Sequence, residues 1–197
     1  MEQIKYSFVL PAYKACFLNE AIDCIIAQTY KDFELIIVND ASPEDLDSIV
    51  KSYNDPRIRY YVNEQNIGGK DLVAQWNHCL EYAKGEYIIL ASDDDIYYPS
   101  YLEKMDMLVC KYPGVNIFRP LTQIIDGQKS VIRTFNTKQV IEDGNECMTQ
   151  VKYLYVMMKG LIGSGIAHYV FRRTELMRTG GFFWLPSAWA SDDVTAI

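Results

Sequence analysis

The run Phe33-Glu34-Leu35-Ile36-Ile37-Val38 narrows the folds open to this chain more than any other stretch. It is too apolar at its end to carry a wet face, as expected of a strand in a parallel sheet covered on both sides. Short β-rich runs recur at 6–10, 58–62 and 87–90. Between them apolar residues return at helical spacing: Phe17, Leu18, Ala21, Ile22, Ile25 and Ile26, then Leu46, Ile49, Val50 and Tyr53, then Leu72, Val73, Trp76, Leu80 and Ala83. After Pro99 a fourth helix follows with Leu102, Met105, Leu108 and Val109. Four strand–helix units in about 110 residues predict an α/β domain around a mostly parallel sheet.

Local signals mark the joints. Pro11 stops the first run, and Ser42 offers an N-cap with Pro43 at the first helical position. Gly85 reads as the stop of the third helix. Beyond residue 112 the pattern changes. Short strands are expected at 115–118, 121–125 and 131–135, with a hairpin at Asp126-Gly127, then a helix in which Met148, Val151, Tyr155 and Met158 keep the period. A glycine-rich loop at 160–165, a strand at 166–171 and a short helix closed by Gly180-Gly181 follow. The expected organisation is one domain over 1–197 whose two halves, 1–112 and 113–197, differ in pattern. The last residues enter a helical pattern begun at Asp192, so the sequence reads as the front of a longer protein.

The formal net charge of -7 argues against a nucleic-acid partner, which needs a basic field. The five cysteines are odd in number and form no C-x-x-C pair. Cys16 and Cys24, on one expected helix, stand roughly 12 Å apart at 1.5 Å per residue, too far to bridge. Reduced thiols and a cytoplasmic location are the expectation. No apolar run approaches a membrane span, which leaves room for peripheral contact with the inner membrane face through a segment beyond Ile197.

Chemistry gathers at strand tips, where ligands sit in open α/β sheets. Pro11-Ala12-Tyr13, Asn39-Asp40-Ala41 and Ser92-Asp93-Asp94-Asp95 all leave buried strands on one edge. Three adjacent carboxylates repel one another unless a cation or a hydrogen-bond network compensates them, and hard oxygens suit Mg²⁺ or Mn²⁺. The plainer reading is an acidic turn capping the next helix. Asp40 can accept an N–H from a base beside Tyr13, or simply make an Asx turn. Ser191-Asp192-Asp193 is either a helix start or the place of a general base. His78 and His168 are singletons without metal-ligand spacing, and Trp184 and Trp189 flank Pro186 as apolar or sugar-facing surfaces. No G-x-G-x-x-G, P-loop or G-x-S-x-G signature is present.

The order of these pieces resembles family 2 glycosyltransferases of the GT-A fold. Phe8-Val9-Leu10-Pro11-Ala12-Tyr13, Ala27-Gln28-Thr29-Tyr30, 33–42, Asn66-Ile67-Gly68-Gly69, Lys84-Gly85-Glu86-Tyr87-Ile88, Ser92-Asp93-Asp94-Asp95 with Pro99, Phe171-Arg172-Arg173, Gly180-Gly181-Phe182 and Asp192-Asp193 carry the resemblance. It implies an inverting, metal-dependent transferase moving a sugar from a UDP-sugar to a carbohydrate or lipid-linked hydroxyl. Pro11, Ala12 and Tyr13 would contact the nucleotide, Asp40 would bind uracil, and Asp93 would lie near the ribose and diphosphate. Asp94, with Asp95 beside it, would bind Mn²⁺ or Mg²⁺. Asp193 would activate the acceptor hydroxyl, with Asp192 as the fallback. Ser92 stands where the family often has Asp, and Trp76 where it often has Arg, leaving Lys70 as the nearest cation for the diphosphate. A non-catalytic nucleotide- or carbohydrate-binding module and a sugar nucleotidyltransferase are the alternatives.

Overall fold

A computed structural model describes residues 4–134, 147–160, 162, 165, 169–188 and 191–196. The expected features at Phe135, His168, Trp189, half of the 160–165 loop and the start of the 166–171 strand lie outside the described residues. β1 (Tyr6–Ala12), β2 (Phe33–Asn39), β3 (Ile58–Val62) and β4 (Tyr87–Leu90) run parallel in the order β3-β2-β1-β4. Beyond β4 the sheet gains β8 (Val170–Arg172), antiparallel to it, and then β5 (Ile117–Phe118), antiparallel to β8. β6 (Gln123–Ile125) and β7 (Val131–Thr134) form a separate hairpin, turned at Asp126-Gly127 as expected.

Every residue of β2 is buried. Alternation along the strands sends Phe8, Leu10, Leu35 and Ile37 to one face, under α1 (Leu18–Ile26), α2 (Leu46–Lys51) and α4 (Tyr101–Lys111). Val9, Ile36, Val38 and Leu90 face the other way, against α3 (Leu72–Leu80) and α6 (Arg173–Arg178). The result is a sheet between two helical layers. At the N-terminal end of its strands one buried carboxylate, Glu34, gathers three elements. It accepts the Ser7 hydroxyl at 2.7 Å, the Lys84 N–H at 2.7 Å and the Arg59 guanidinium at 2.7 Å. Ser7 Oγ in turn accepts the Gly85 N–H at 2.8 Å.

Pro11 does not stop β1, which runs two residues beyond Leu10. Val9 C=O accepts Ala91 N–H on the β4 side, and Ala12 C=O accepts Asp40 N–H on the β2 side. Alternation therefore turns Pro11 toward β4, where the pairing has already ended, and its missing N–H interrupts no ladder.

Several local expectations are corrected. The cap of α2 is Asp45, whose carboxylate accepts Ser48 N–H at 3.0 Å, and not Ser42. Gly85 does not close α3, which ends at Leu80. A Cβ at Gly85 would lie 2.6 Å from Ser7 N, so glycine is needed there for close strand approach. Cys16 precedes α1 and does not share it with Cys24; Cys16, Cys24, Cys79 and Cys110 are thiols. Leu72, expected inside, is exposed at the start of α3. The expected helix is α5 (Gln150–Met158), where Val151 and Met158 are 78% and 79% exposed and the buried contact is made by Val156 against Ile162. Among the described residues no helix is long and apolar enough to cross a membrane.

Candidate active site

The strand tips are stitched to one another by polar bonds. Asp93, just past β4, accepts the backbone N–H groups of Lys14 at 3.1 Å and Tyr13 at 3.4 Å, joining the β4 and β1 tips. The Ser42 hydroxyl, freed from capping, donates to the Tyr13 carbonyl at 2.6 Å, and Ser42 N–H donates to Asn39 Oδ1 at 2.8 Å, joining β1 to β2. Ala41 between them takes a left-handed backbone, with φ +50°. Tyr13 is exposed, Pro11 half-buried and Ala12 fully buried.

Asp40 is 4% exposed, and its carboxylate holds the 66–68 turn. It accepts Asn63 Nδ2–H and Ile67 N–H at 2.8 Å each and Gly68 N–H at 2.7 Å. Its backbone carbonyl accepts Asn66 Nδ2–H at 3.1 Å. A Cβ on Gly68 would come within 2.9 Å of the same carboxylate. Lys70 follows this turn with its side chain exposed.

Asp94 is exposed and its Oδ1 accepts the Ser92 hydroxyl. Asp95, behind it, has its carboxyl pushed up to about 6 by burial, helped by Asp94 and Asp93. A cavity of about 210 Å³ opens beside the pair, lined by Phe17, Glu20, Ile96, Asp126 and Lys129 among others. Among the described residues no group of three or more His, Cys, Asp or Glu side chains is arranged around a common metal position. A hard divalent ion nevertheless commonly takes only one or two carboxylates, completing its shell with water and substrate phosphate. The exposed Asp94 and the crowded charge behind it fit that donor set, since an added cation offsets the repulsion.

The second acidic group sits on α7 (Ser191–Thr195), with Asp192 7% and Asp193 5% exposed. Ser191, expected as a cap, instead accepts the Leu185 N–H at 3.1 Å through its hydroxyl. Thr195 Oγ1 accepts the Phe183 N–H at 2.8 Å, so both ends of this short helix are pinned to 183–185. Asp193 accepts the hydroxyl of Tyr169, which is bonded to the hydroxyl of Tyr153 on α5. The Arg119 guanidinium lies 5.6 Å from the Tyr169 ring centre. Burial raises the Asp192 carboxyl above the ordinary carboxylate range, the charge of Asp193 adds to this, and Arg119 opposes it.

The structure thus brings the β1, β2 and β4 tips together and sets the acidic pair among tyrosines. Tyr153, Tyr169, Arg119, Asn63 and Asn77 were not singled out by sequence reasoning. Two tyrosines among fifteen carry no signal of their own. Asn77 sits beside Trp76, whose ring meets Phe182 edge-on at 5.7 Å. Its amide donates to Phe182 C=O at 3.0 Å and accepts Phe182 N–H at 2.7 Å, a bond pair spanning 105 residues.

The comparisons with known proteins agree on one family. The family model described as Glycosyl transferase family 2 matches residues 7–169. An uncharacterised glycosyltransferase of Rickettsia typhi is 41% identical over 98 residues, covering 49% of this chain and 29% of that protein. Staphylococcus aureus TarS 1–349 in complex with UDP superimposes with a TM-score of 0.69 at 16% identity, over 97% of this chain and 53% of that one. The mannosyltransferase PcManGT from Pyrobaculum calidifontis, in complex with GDP-Man and Mn²⁺, gives 0.66 at 18% identity, over 98% and 50%. The chain therefore spans under a third of the length of that curated relative and about half of each solved structure. With a match that begins in β1 and ends one residue before β8, the chain belongs to glycosyl transferase family 2 and has the GT-A fold.

Proposed function

We propose that this domain moves a sugar from a nucleotide sugar, most simply a UDP-sugar, to a hydroxyl of a carbohydrate or lipid-linked acceptor, with inversion. The observation that carries the reading is the stitching of the Asp93 loop to Tyr13 and Lys14, which builds one edge from three strand tips. The ligands named for the solved neighbours, UDP and UDP-GlcNAc with TarS and GDP-Man with PcManGT, support a nucleotide-sugar donor.

In this reading the exposed Tyr13 ring lies against the base, and Asp40 accepts its N–H. A carboxylate offers about four acceptor positions, and Asp40 uses three internally, so one donor more can be taken. Asp94, with Asp95 beside it, would hold Mn²⁺ or Mg²⁺, which as a Lewis acid stabilises charge on a departing diphosphate. Asp93 orients the loop, and Lys70 offers an exposed ammonium toward the phosphates. Asp193, or Asp192 in its place, takes the proton of the acceptor hydroxyl as that oxygen displaces the diphosphate from the opposite face of the sugar. Burial makes the Asp192 carboxylate a better proton acceptor than an exposed one. Residues 1–112 serve the donor and 113–197 the acceptor. The location remains the reducing, cytoplasmic side inferred from the thiols.

Calorimetric titration of UDP with and without Mn²⁺ tests the reading. Binding is expected to need the ion and to weaken at least about tenfold in Asp94→Ala, and Asp193→Asn is expected to lower transfer by about 10²–10⁴. Metal-independent binding that is unchanged in Asp94→Ala counts against it, and a product of retained anomeric configuration overturns direct displacement.

A further inference from the structure

Asp193 does not stand alone on α7. Tyr169 is fully buried, and its hydroxyl sits between two partners, Asp193 Oδ1 and the Tyr153 hydroxyl. The direction of the chain follows from counting protons. An ionised carboxylate only accepts, so the single Tyr169 proton goes to Asp193 and Tyr153 must donate to Tyr169. The three groups come from α5, the approach to β8, and α7, three elements far apart in sequence. Among the described residues, Asp192 on α7 and Arg119, whose guanidinium lies over the Tyr169 ring, are charged groups beside them.

We infer that Tyr169, backed by Tyr153, is a positioning residue that holds the Asp193 carboxylate in one orientation and sets its proton affinity. This rests on the reading of Asp193 as the base. A hydrogen bond donated to the charged form favours that form, so the Tyr169 hydroxyl favours the ionised, accepting carboxylate of Asp193. Polarisation along a hydrogen-bonded chain strengthens each link, so the outer hydroxyl of Tyr153 acts in the same sense but more weakly. Tyr169 neither touches the reacting atoms nor carries the transferred proton.

The test is a carbon-13 titration of the Asp193 carboxyl, assigned through Asp193→Asn, beside the pH profile of kcat. In Tyr169→Phe the Asp193 midpoint is expected to rise by about one unit, with the acid limb of kcat moving by the same amount, kcat falling about tenfold and donor KM holding. Tyr153→Phe, which keeps the inner bond, is expected to shift both in the same direction by less, and it carries the test should Tyr169→Phe fail to fold. An Asp193 midpoint unmoved in both variants overturns the positioning role, whatever the kinetics. A midpoint that rises while the kcat limb stays put overturns the base reading and leaves the bond itself established, so the two failures are told apart.

Discussion

The β1–β4 half and the half that begins at β5 are held together differently. In the first half β1, β2 and β4 are buried nearly throughout beside a half-exposed edge strand, β3, and the buried side chains of β1 and β2 pack under helices on each side. In the second, strands are two to four residues long, and one of them, β7, is exposed along its whole length. It shares the core only through a few side chains such as Val170, Phe171, Leu176 and Phe182, and polar bonds tie the rest: Asn77 to Phe182, Ser191 to Leu185, Tyr169 to Asp193. Continuous apolar burial makes a platform that tolerates local change, whereas a seam of a few polar bonds makes a part that can be adjusted, or lost, one bond at a time.

Mutations at the junctions would break or sharpen this contrast. The largest effect is expected from Gly85→Ala, which drives a Cβ into the Ser7 backbone and costs about 3 kcal/mol or more of global stability by chemical denaturation. Asn77→Ala strips both partners from the Phe182 backbone and should cost about 2 kcal/mol. Hydrogen exchange should speed mainly in α6 and α7 while the β1–β4 amides stay protected; uniform loss across both halves would erase the distinction.

Asp192→Asn is expected to come next. The Asp192 carboxyl is raised in the folded protein, so the wild type is fully stable below the ordinary carboxylate range and loses stability as pH rises through the folded value. The variant should melt about 2–4 °C higher at pH 8, for roughly 1 kcal/mol, and match wild type at pH 3.5. Equal melting at both pH values would mean that Arg119 fully compensates the burial. The smallest effect belongs to Lys129→Ala, which breaks an exposed 2.7 Å ion pair to Glu20 at the hairpin turn and should cost under about 0.5 kcal/mol.

The same contrast governs what the sequence could disclose. β2 and β4 were legible nearly to the residue because strands buried on both faces write themselves as unbroken apolar runs, and the half-exposed edge strand β3 was legible as a β-rich run after Pro56. The acidic loop and the order of the tips were legible because they follow those runs directly. Errors fell where a residue serves a distant partner: Ser42 bonds across to Tyr13, and Gly85 is small for the sake of Ser7. Helix α5 was legible from its period, but periodicity does not say which side meets the core, and there Val156 makes the buried contact. Tyr169 and Asn77 could not have been found, since their roles exist only once segments far apart in the chain have met.

Glu34 has a consequence for how the sheet finds its alignment. Slipping β1 or β2 by one residue would strand this carboxylate in apolar surroundings, without the Ser7 hydroxyl, the Arg59 cation or the Lys84 amide. Strand register is therefore keyed at the end remote from the acidic strand tips. The loops that leave the opposite end are free to change length and chemistry without the strands losing their place.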